Sequence, residues 1–329
     1  MTDRRRTRAL GLISGGLDSM LAARLLMEQG VAVTGISFVT PFFGAEKAEA
    51  AARIVGFPLI VRDITAPHLA MARNPPSGYG AHMNPCIDCH ALMLRIAGEV
   101  MDAEGFDLLF TGEVLNERPM SQSLRSLNRV ANLSGRRGFV LRPLSARRLE
   151  PTVPETDGRI DRARLLDLEG RSRKRQFELA ARWGITGYPT PAGGCLLTDP
   201  NFSRRLRDLF EHGPEPDAHA LALLKIGRQF RIREGVKATV GKNDVDNKAL
   251  LALRAPGDTV VRTNGVPGPV AIVGGAADEA DLALVASICA RYSDARAAGA
   301  VPMVVEGPDG ARQVSAQAIG DEELVARRL

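Results

Sequence analysis

The chain has 329 residues, 45% apolar and 25% charged, which supplies ample material for a core and suits two domains. A net charge of +5 and a pI of about 9.3 favour polyanionic partners. No run approaches the roughly 20 apolar residues of a membrane span, the apolar stretch after the basic start is too short for a signal peptide, and the four cysteines suit reactive or metal-binding thiols rather than disulfide staples, so a soluble cytoplasmic protein is expected.

In chain order, ALGLI (9–13) predicts a strand that ends in Ser14-Gly15-Gly16-Leu17-Asp18-Ser19, and a helical pattern follows. VAVTGISFV (31–39) and FPLIVRDI (57–64) predict strands on either side of a helix at 46–56. Residues 65–84, rich in Pro and Gly, read as one long loop. A helix is predicted from Pro85 to Gly105 and a buried strand at FDLLFTGE (106–113). This alternation predicts an α/β fold, a doubly wound parallel sheet with its ligand site at the carboxyl ends of the strands. RSRKRQFELAARWG (171–184) predicts a helix, GYPTPAGGC (187–195) a second loop, and HGPEPDAH (212–219) a linker. Beyond it a smaller α+β domain is expected, with strands at 225–232, 236–241, 258–263 and 269–275 and helices at 244–254 and 278–292. The domains expected are therefore 1–214 and 215–329.

Glycines between a strand and a helix let backbone N–H groups and the helix N-terminus approach phosphate. Asp18 could hold Mg²⁺ against the phosphates, and Ser14 and Ser19 can donate hydrogen bonds. The plain alternative is a glycine turn with a capping Ser or Asp. The Walker ending GK[ST] is absent. SGGLDS resembles the signature of the PP-loop ATP pyrophosphatases over residues 8–200. That resemblance implies ATP bound at residues 14–19 and cleaved to AMP and pyrophosphate as a substrate carbonyl is adenylated.

The thiols point to sulfur chemistry. Asn84-Pro85-Cys86-Ile87-Asp88-Cys89 opens a helix, whose N-terminus lowers a thiol pKa, and Cys195 lies more than 100 residues further on. NPCxxC resembles the tRNA 2-thiouridine synthases. Thr111-Gly112-Glu113, Ser121-Gln122 and Leu141-Arg142-Pro143-Leu144 resemble the TGE, SQ and LRPL elements of the 4-thiouridine synthetases, which implies that Thr111 and Gly112 join the ATP site. Cys86, Cys89 and Cys195 could hold three corners of a [4Fe–4S] cluster with one iron open. Alternatively Cys195 carries a persulfide that Cys86 resolves as a disulfide, or CxxC is half of a zinc site with His90 nearby. Cys289, in LALVASICA, reads as core. No general base is assigned; His68 and His82 read as structural.

Between Ser134 and Arg182 there are thirteen Lys/Arg against seven Asp/Glu. Arg118, Gln122, Arg136, Arg137, Arg173 and Lys174 are the candidate tRNA contacts here, positioning phosphate rather than reading bases. GRQFRIREGVKATVGKNDVDNKALLAL, within 222–273, resembles the RNA-binding domain of the NFACT proteins and adds Arg228 and Lys242. The 4-thiouridine synthetases carry an N-terminal tRNA-binding domain and a sulfur-donating rhodanese domain. With eight residues before the first predicted strand, the former is not expected here; the rhodanese domain is not expected either, so sulfur should come from an external donor, sulfide or protein. The expected activity is ATP-dependent tRNA uridine thiolation, with 4-thiouridine at position 8 ahead of 2-thiouridine. A small-molecule amidating ligase and a non-catalytic RNA-binding factor are the competing readings. The partners expected are tRNA and the sulfur donor, with no membrane, and a homodimer is an open assembly.

Overall fold

A computed structural model describes residues 5–118, 120–190, 195–213 and 216–329. The chain divides into two compact units between Leu197 and Thr198.

The first unit is built on five parallel strands in the order β3-β2-β1-β4-β5: β1 (Arg8–Leu12), β2 (Ala32–Val39), β3 (Leu59–Asp63), β4 (Leu108–Thr111) and β5 (Val140–Leu141). Helices α1 (Leu17–Glu28), α2 (Glu46–Val55), α3 (Thr65–Arg73), α4 (Cys86–Glu104), α5 (Leu124–Leu133), α6 (Val153–Thr156) and α7 (Lys174–Arg182) accompany them. Both sheet faces are covered. Ala9, Leu108 and Phe110 face a core that includes Leu21 and Leu26 of α1, while Leu10 and Leu109 face a second core that includes Leu94 and Ala97 of α4. Burial on both sides is why these strands read as continuous apolar runs. The order reverses between β1 and β4, whose ends align Leu12 with Thr111. The loops leaving these two strands therefore diverge and open a crevice at that point.

The expected doubly wound parallel sheet is observed. The loop expected over 65–84 contains α3: Pro67 falls in its first turn, where the missing N–H costs no helical hydrogen bond.

The second unit holds a six-stranded antiparallel sheet in the order β11-β10-β8-β9-β7-β6: β6 (Arg228–Arg233), β7 (Val236–Val240), β8 (Thr259–Thr263), β9 (Val270–Gly274), β10 (Val301–Gly307) and β11 (Gly310–Ala316). Its helices are α8 (Pro200–His212), α9 (Ala218–Leu223), α10 (Asp244–Leu253), α11 (Glu279–Arg291) and α12 (Asp321–Arg327). The β10–β11 hairpin and α12 are additions to the sequence reading, since β11 is mostly exposed and lacks an apolar alternation. The break also falls before residue 214. Helix α8 is tied to the later strands: Asp208 pairs with Arg231, and Arg205 donates to the carbonyls of Leu224 and Gly227 at 3.0 and 3.1 Å.

Asp208 is buried beneath Arg231, so Asp208→Ala leaves a half-buried guanidinium without its partner. Stability should fall by about 2–3 kcal/mol, read from urea unfolding monitored by circular dichroism.

Candidate functional site

The crevice at the β1–β4 reversal is lined by the phosphate-loop candidates. Gly15 adopts φ +79°, and a Cβ there would lie 2.3 Å from the Lys47 carbonyl carbon, so the turn admits only glycine. Gly16 is the N-cap of α1 and supplies no side-chain cap, which leaves the first-turn N–H groups of α1 without side-chain partners at that position. The Gly16 N–H donates to Ser14 Oγ at 3.3 Å, and Ser19 Oγ donates to the Gly16 carbonyl at 2.7 Å. Leu17 is buried and anchors the helix start. From the other side Gly112, just after β4, presses onto the same turn: a Cβ would lie 2.4 Å from the Ser19 backbone nitrogen. Thr111 is buried beneath it and donates to Glu113 Oε2 at 2.9 Å, so its side chain supports the loop from below.

Charges of both signs converge here. Arg173 lies 3.3 Å from Asp18 and 3.4 Å from Glu117. Burial raises the Asp18 carboxyl above its usual range, against the pull of Arg173 and Arg118. Burial raises Glu117 too, and the Asp18 charge adds to it. Two carboxylates thus share two guanidiniums beside the phosphate loop. Of the two arginines expected to meet tRNA here, Arg173 pairs with both acids of the crevice, while Arg118 is exposed and its charge acts on them more weakly. Glu117 was not singled out in the sequence, because nothing in the spacing ties it to Asp18, 99 positions away.

The thiols lie in the same unit. Cys86 is the first residue of α4 and donates to Asn84 Oδ1 at 3.1 Å. Its pKa is raised rather than lowered: burial outweighs that hydrogen bond and the Arg118 charge. Cys89 is pushed up further, first by burial and then by the proximity of Cys195, Cys86 and Asp88. Cys195 has therefore returned to the CxxC turn despite its distance in sequence. Gly193 and Gly194 before it lie outside the described residues. Cys89 Sγ lies 3.4 Å from His68 Nε2. His68 is fully buried, and burial brings its pKa down to about 4. Cys289 is core, its thiol pushed up to about 12 by burial. Among the described residues, no group of three or more His, Cys, Asp or Glu side chains is arranged as a metal site.

The TGE and LRPL elements join in one buried ion pair. Arg142 Nε donates to Glu113 Oε2 at 2.9 Å and its Nη2 to the Leu127 carbonyl at 3.2 Å. Burial works to raise Glu113, but Arg142 and then His90 outweigh it and hold the carboxyl down at about 2. His90 Nδ1 is 3.2 Å from Glu113, so the ring expected as a zinc neighbour faces this pair. Gln122 is buried, accepts from the Arg118 backbone N–H at 3.1 Å and closes the 116–122 loop rather than presenting itself to tRNA. Arg136 is clamped to Asp102 by two hydrogen bonds, and Arg137 pairs with exposed Glu150. Lys174 is exposed at the start of α7.

With that geometry in place, similarity to known proteins becomes specific. Residues 5–60 match the family described as thiamine biosynthesis protein (ThiI), and residues 227–327 match the NFACT protein RNA binding domain. The chain is 29% identical to a probable tRNA sulfurtransferase of Levilactobacillus brevis over 146 residues, 42% of this chain and 34% of that one. It is 30% identical to the tRNA-specific 2-thiouridylase MnmA of Streptomyces avermitilis over 166 residues, 44% of each chain. The chain thus spans a third to under half of these relatives. A crystal structure named as a predicted subunit of tRNA methyltransferase from Methanocaldococcus jannaschii aligns with 54% of this chain and 76% of its own, at 18% identity and a TM-score of 0.35. The PP-loop thiolase resemblance of the first unit and the NFACT resemblance of the second both hold, and the second extends well beyond the 222–273 segment read from sequence.

In the NFACT-like unit Arg228 stacks over the Tyr292 ring at 4.2 Å and donates to the Gly241 carbonyl. Lys242 is exposed. Lys237, opposite Arg231 across β6–β7, was not nominated, and burial brings its pKa down to about 8. No helix among the described residues is long and apolar enough to cross a membrane.

Replacing Arg142 by Met strands a buried carboxylate. Stability at pH 7 should fall by about 3–5 kcal/mol in urea unfolding. The depressed Glu113 pKa gives the intact pair a stabilising contribution that is present above the usual glutamate pKa and lost as the pH falls towards 2. Wild type and variant should therefore converge in stability at the acid end of that window.

Proposed function

We propose that the chain is an ATP-dependent tRNA thiolase that adenylates a uridine carbonyl oxygen and replaces it with sulfur. The observation that carries this reading is that one unit holds both the glycine turn, onto which Gly112 packs at Ser19, and the thiol turn, to which Cys195 returns. Activation and sulfur transfer thus have adjacent machinery in one unit.

In this reading the triphosphate of ATP lies on residues 14–19, with Thr111 and Gly112 forming the opposite wall. The paired carboxylates of Asp18 and Glu117 suit a hard cation, and they are the residues that would hold Mg²⁺. The uracil oxygen attacks the α-phosphorus, a P–O bond forms, and the bond to pyrophosphate breaks with the loop N–H groups stabilising the leaving charge. Sulfur then attacks the activated carbon, and the C–O bond to AMP breaks. Arg173 is positioned to exchange Asp18 for phosphate oxygens as nucleotide and cation enter.

Cys89, raised by burial and by the proximity of Cys195 and Cys86, suits a soft metal shared among the three sulfurs, because ligation removes the penalty of bringing thiolates together. Cys86, Cys89 and Cys195 would hold a [4Fe–4S] cluster, which when bound supplies an open iron for sulfide. The persulfide route through Cys195 and Cys86 uses the same convergence, and the participation of Cys89 favours the cluster. An external donor supplies sulfur, a homodimer is the assembly to test, and the NFACT-like unit with Arg228 and Lys242 holds tRNA phosphates. The TGE…SQ…LRPL elements favour 4-thiouridine, and the MnmA similarity supports 2-thiouridine as the second candidate product.

Nucleoside mass spectrometry of tRNA from a deletion strain should lack one thionucleoside. Complementation with Cys86→Ala or Cys195→Ala should fail to restore it, and an unchanged tRNA profile on deletion overturns the proposal. Asp18→Asn should slow pyrophosphate release from ATP and tRNA by roughly a hundredfold without lowering the melting temperature, assayed on purified protein.

A further inference from the structure

His68 has no role in the steps above, yet it is placed against the thiols. It comes from α3, and the motif that carries the thiols opens α4. Its ring is fully buried, with Phe42 tilted at 5.4 Å between centroids and Phe43 edge-on at 5.5 Å. Nε2 reaches Cys89 Sγ at 3.4 Å, while Nδ1 is buried without a hydrogen-bond partner among the described residues. A neutral imidazole carries one N–H. When Cys89 is a thiolate or a metal-bound sulfur, Nε2–H donating to sulfur uses that proton, and the remaining lone pair faces the aromatic cage.

The orphaned Nδ1 argues against His68 as a metal ligand. A ligating histidine ordinarily donates its second N–H to a carboxylate or carbonyl that orients the ring, and among the described residues Nδ1 has no such partner. Apart from the Phe42–Phe43 cage, the feature that directs the ring is the sulfur itself. Asp63, the acid nearest in sequence, accepts from the Thr65 backbone N–H at 2.7 Å, and Asp88, beside Cys89, accepts from the Ser77 backbone N–H and hydroxyl, both at 2.7 Å.

We infer that His68 is a positioning residue that donates Nε2–H to the sulfur of Cys89 and thereby tunes the sulfur site from within an apolar cage. The inference rests on Cys86, Cys89 and Cys195 holding a cluster. An N–H···S bond draws electron density from sulfur, so it should make a cluster at these cysteines easier to reduce.

The test uses the full chain, purified anaerobically and reconstituted with iron and sulfide, as wild type, His68→Phe and His68→Gln. Phenylalanine suits the cage and removes the donor; glutamine keeps an amide N–H close to the position of Nε2. Iron per chain, the midpoint potential and the electron paramagnetic resonance spectrum of the reduced protein are recorded, with melting curves to confirm folding. The expected result is equal iron in all three, a more negative potential and an altered spectrum for His68→Phe, and recovery towards wild type for His68→Gln. Equal potentials in wild type and His68→Phe overturn the inference while the cluster reading stands. Loss of iron from a folded His68→Phe, not restored by glutamine, overturns it by making His68 a ligand. Failure of folded wild type to take up iron overturns the cluster reading and this inference together.

Discussion

The first unit depends on one close approach. Gly112 at the end of β4 packs onto the backbone of Asp18 and Ser19 in the first turn of α1. No side chain could stand there without forcing the strand and the helix apart. That contact fixes the width of the crevice at the point where the sheet order reverses. Everything of chemical interest follows from it: the loop from β1 presents its N–H groups, and the segment after β4 carries Glu113, Glu117 and Arg118 past the same spot. The buried Glu113–Arg142 pair then ties this segment to β5, so the crevice wall rests on a charge-assisted contact as well as on packing.

Around that contact the electrostatics are balanced rather than simply basic. Arg173 is engaged by Asp18 and Glu117, and Arg136 by Asp102. A run of arginines in sequence therefore does not amount to a free cationic face. Several are held by acids that the local sequence gives no reason to pair with them. The thiol turn is a contrasting environment, where burial disfavours charge at Cys86 and Cys89. Such a site stays protonated and inert until something that shares the charge, a metal or a hydrogen-bond donor, accompanies the sulfur. The expectation that the helix N-terminus lowers the Cys86 pKa fails because desolvation is the larger effect.

Much of the fold was legible. Strands β1 to β4 of the first unit were visible as apolar runs, whereas the two-residue β5 was not, and the glycine-rich turn placed the crevice. Helix α3 was missed because a proline reads as a breaker unless its place in the first turn is known. The β10–β11 hairpin was missed because an exposed strand shows no period-two alternation. The division between units came earlier than the proline-rich stretch suggested, because α8 is held by Arg231 and by carbonyls of the second unit, contacts no linker composition reveals.

The sequence by itself determined the glycine turn between β1 and α1, the CxxC turn and the presence of a second, RNA-binding-like unit. Those signals are local, since strand–glycine–helix order and cysteine spacing act over a few residues. Only the tertiary structure decided that Cys195 returns to Cys89, that Glu117 joins Asp18, that Arg173 faces the crevice and that His68 stands against a thiol. These pairings join residues 21 to more than 150 positions apart. They are set by how helices pack over a sheet, and no local pattern encodes that.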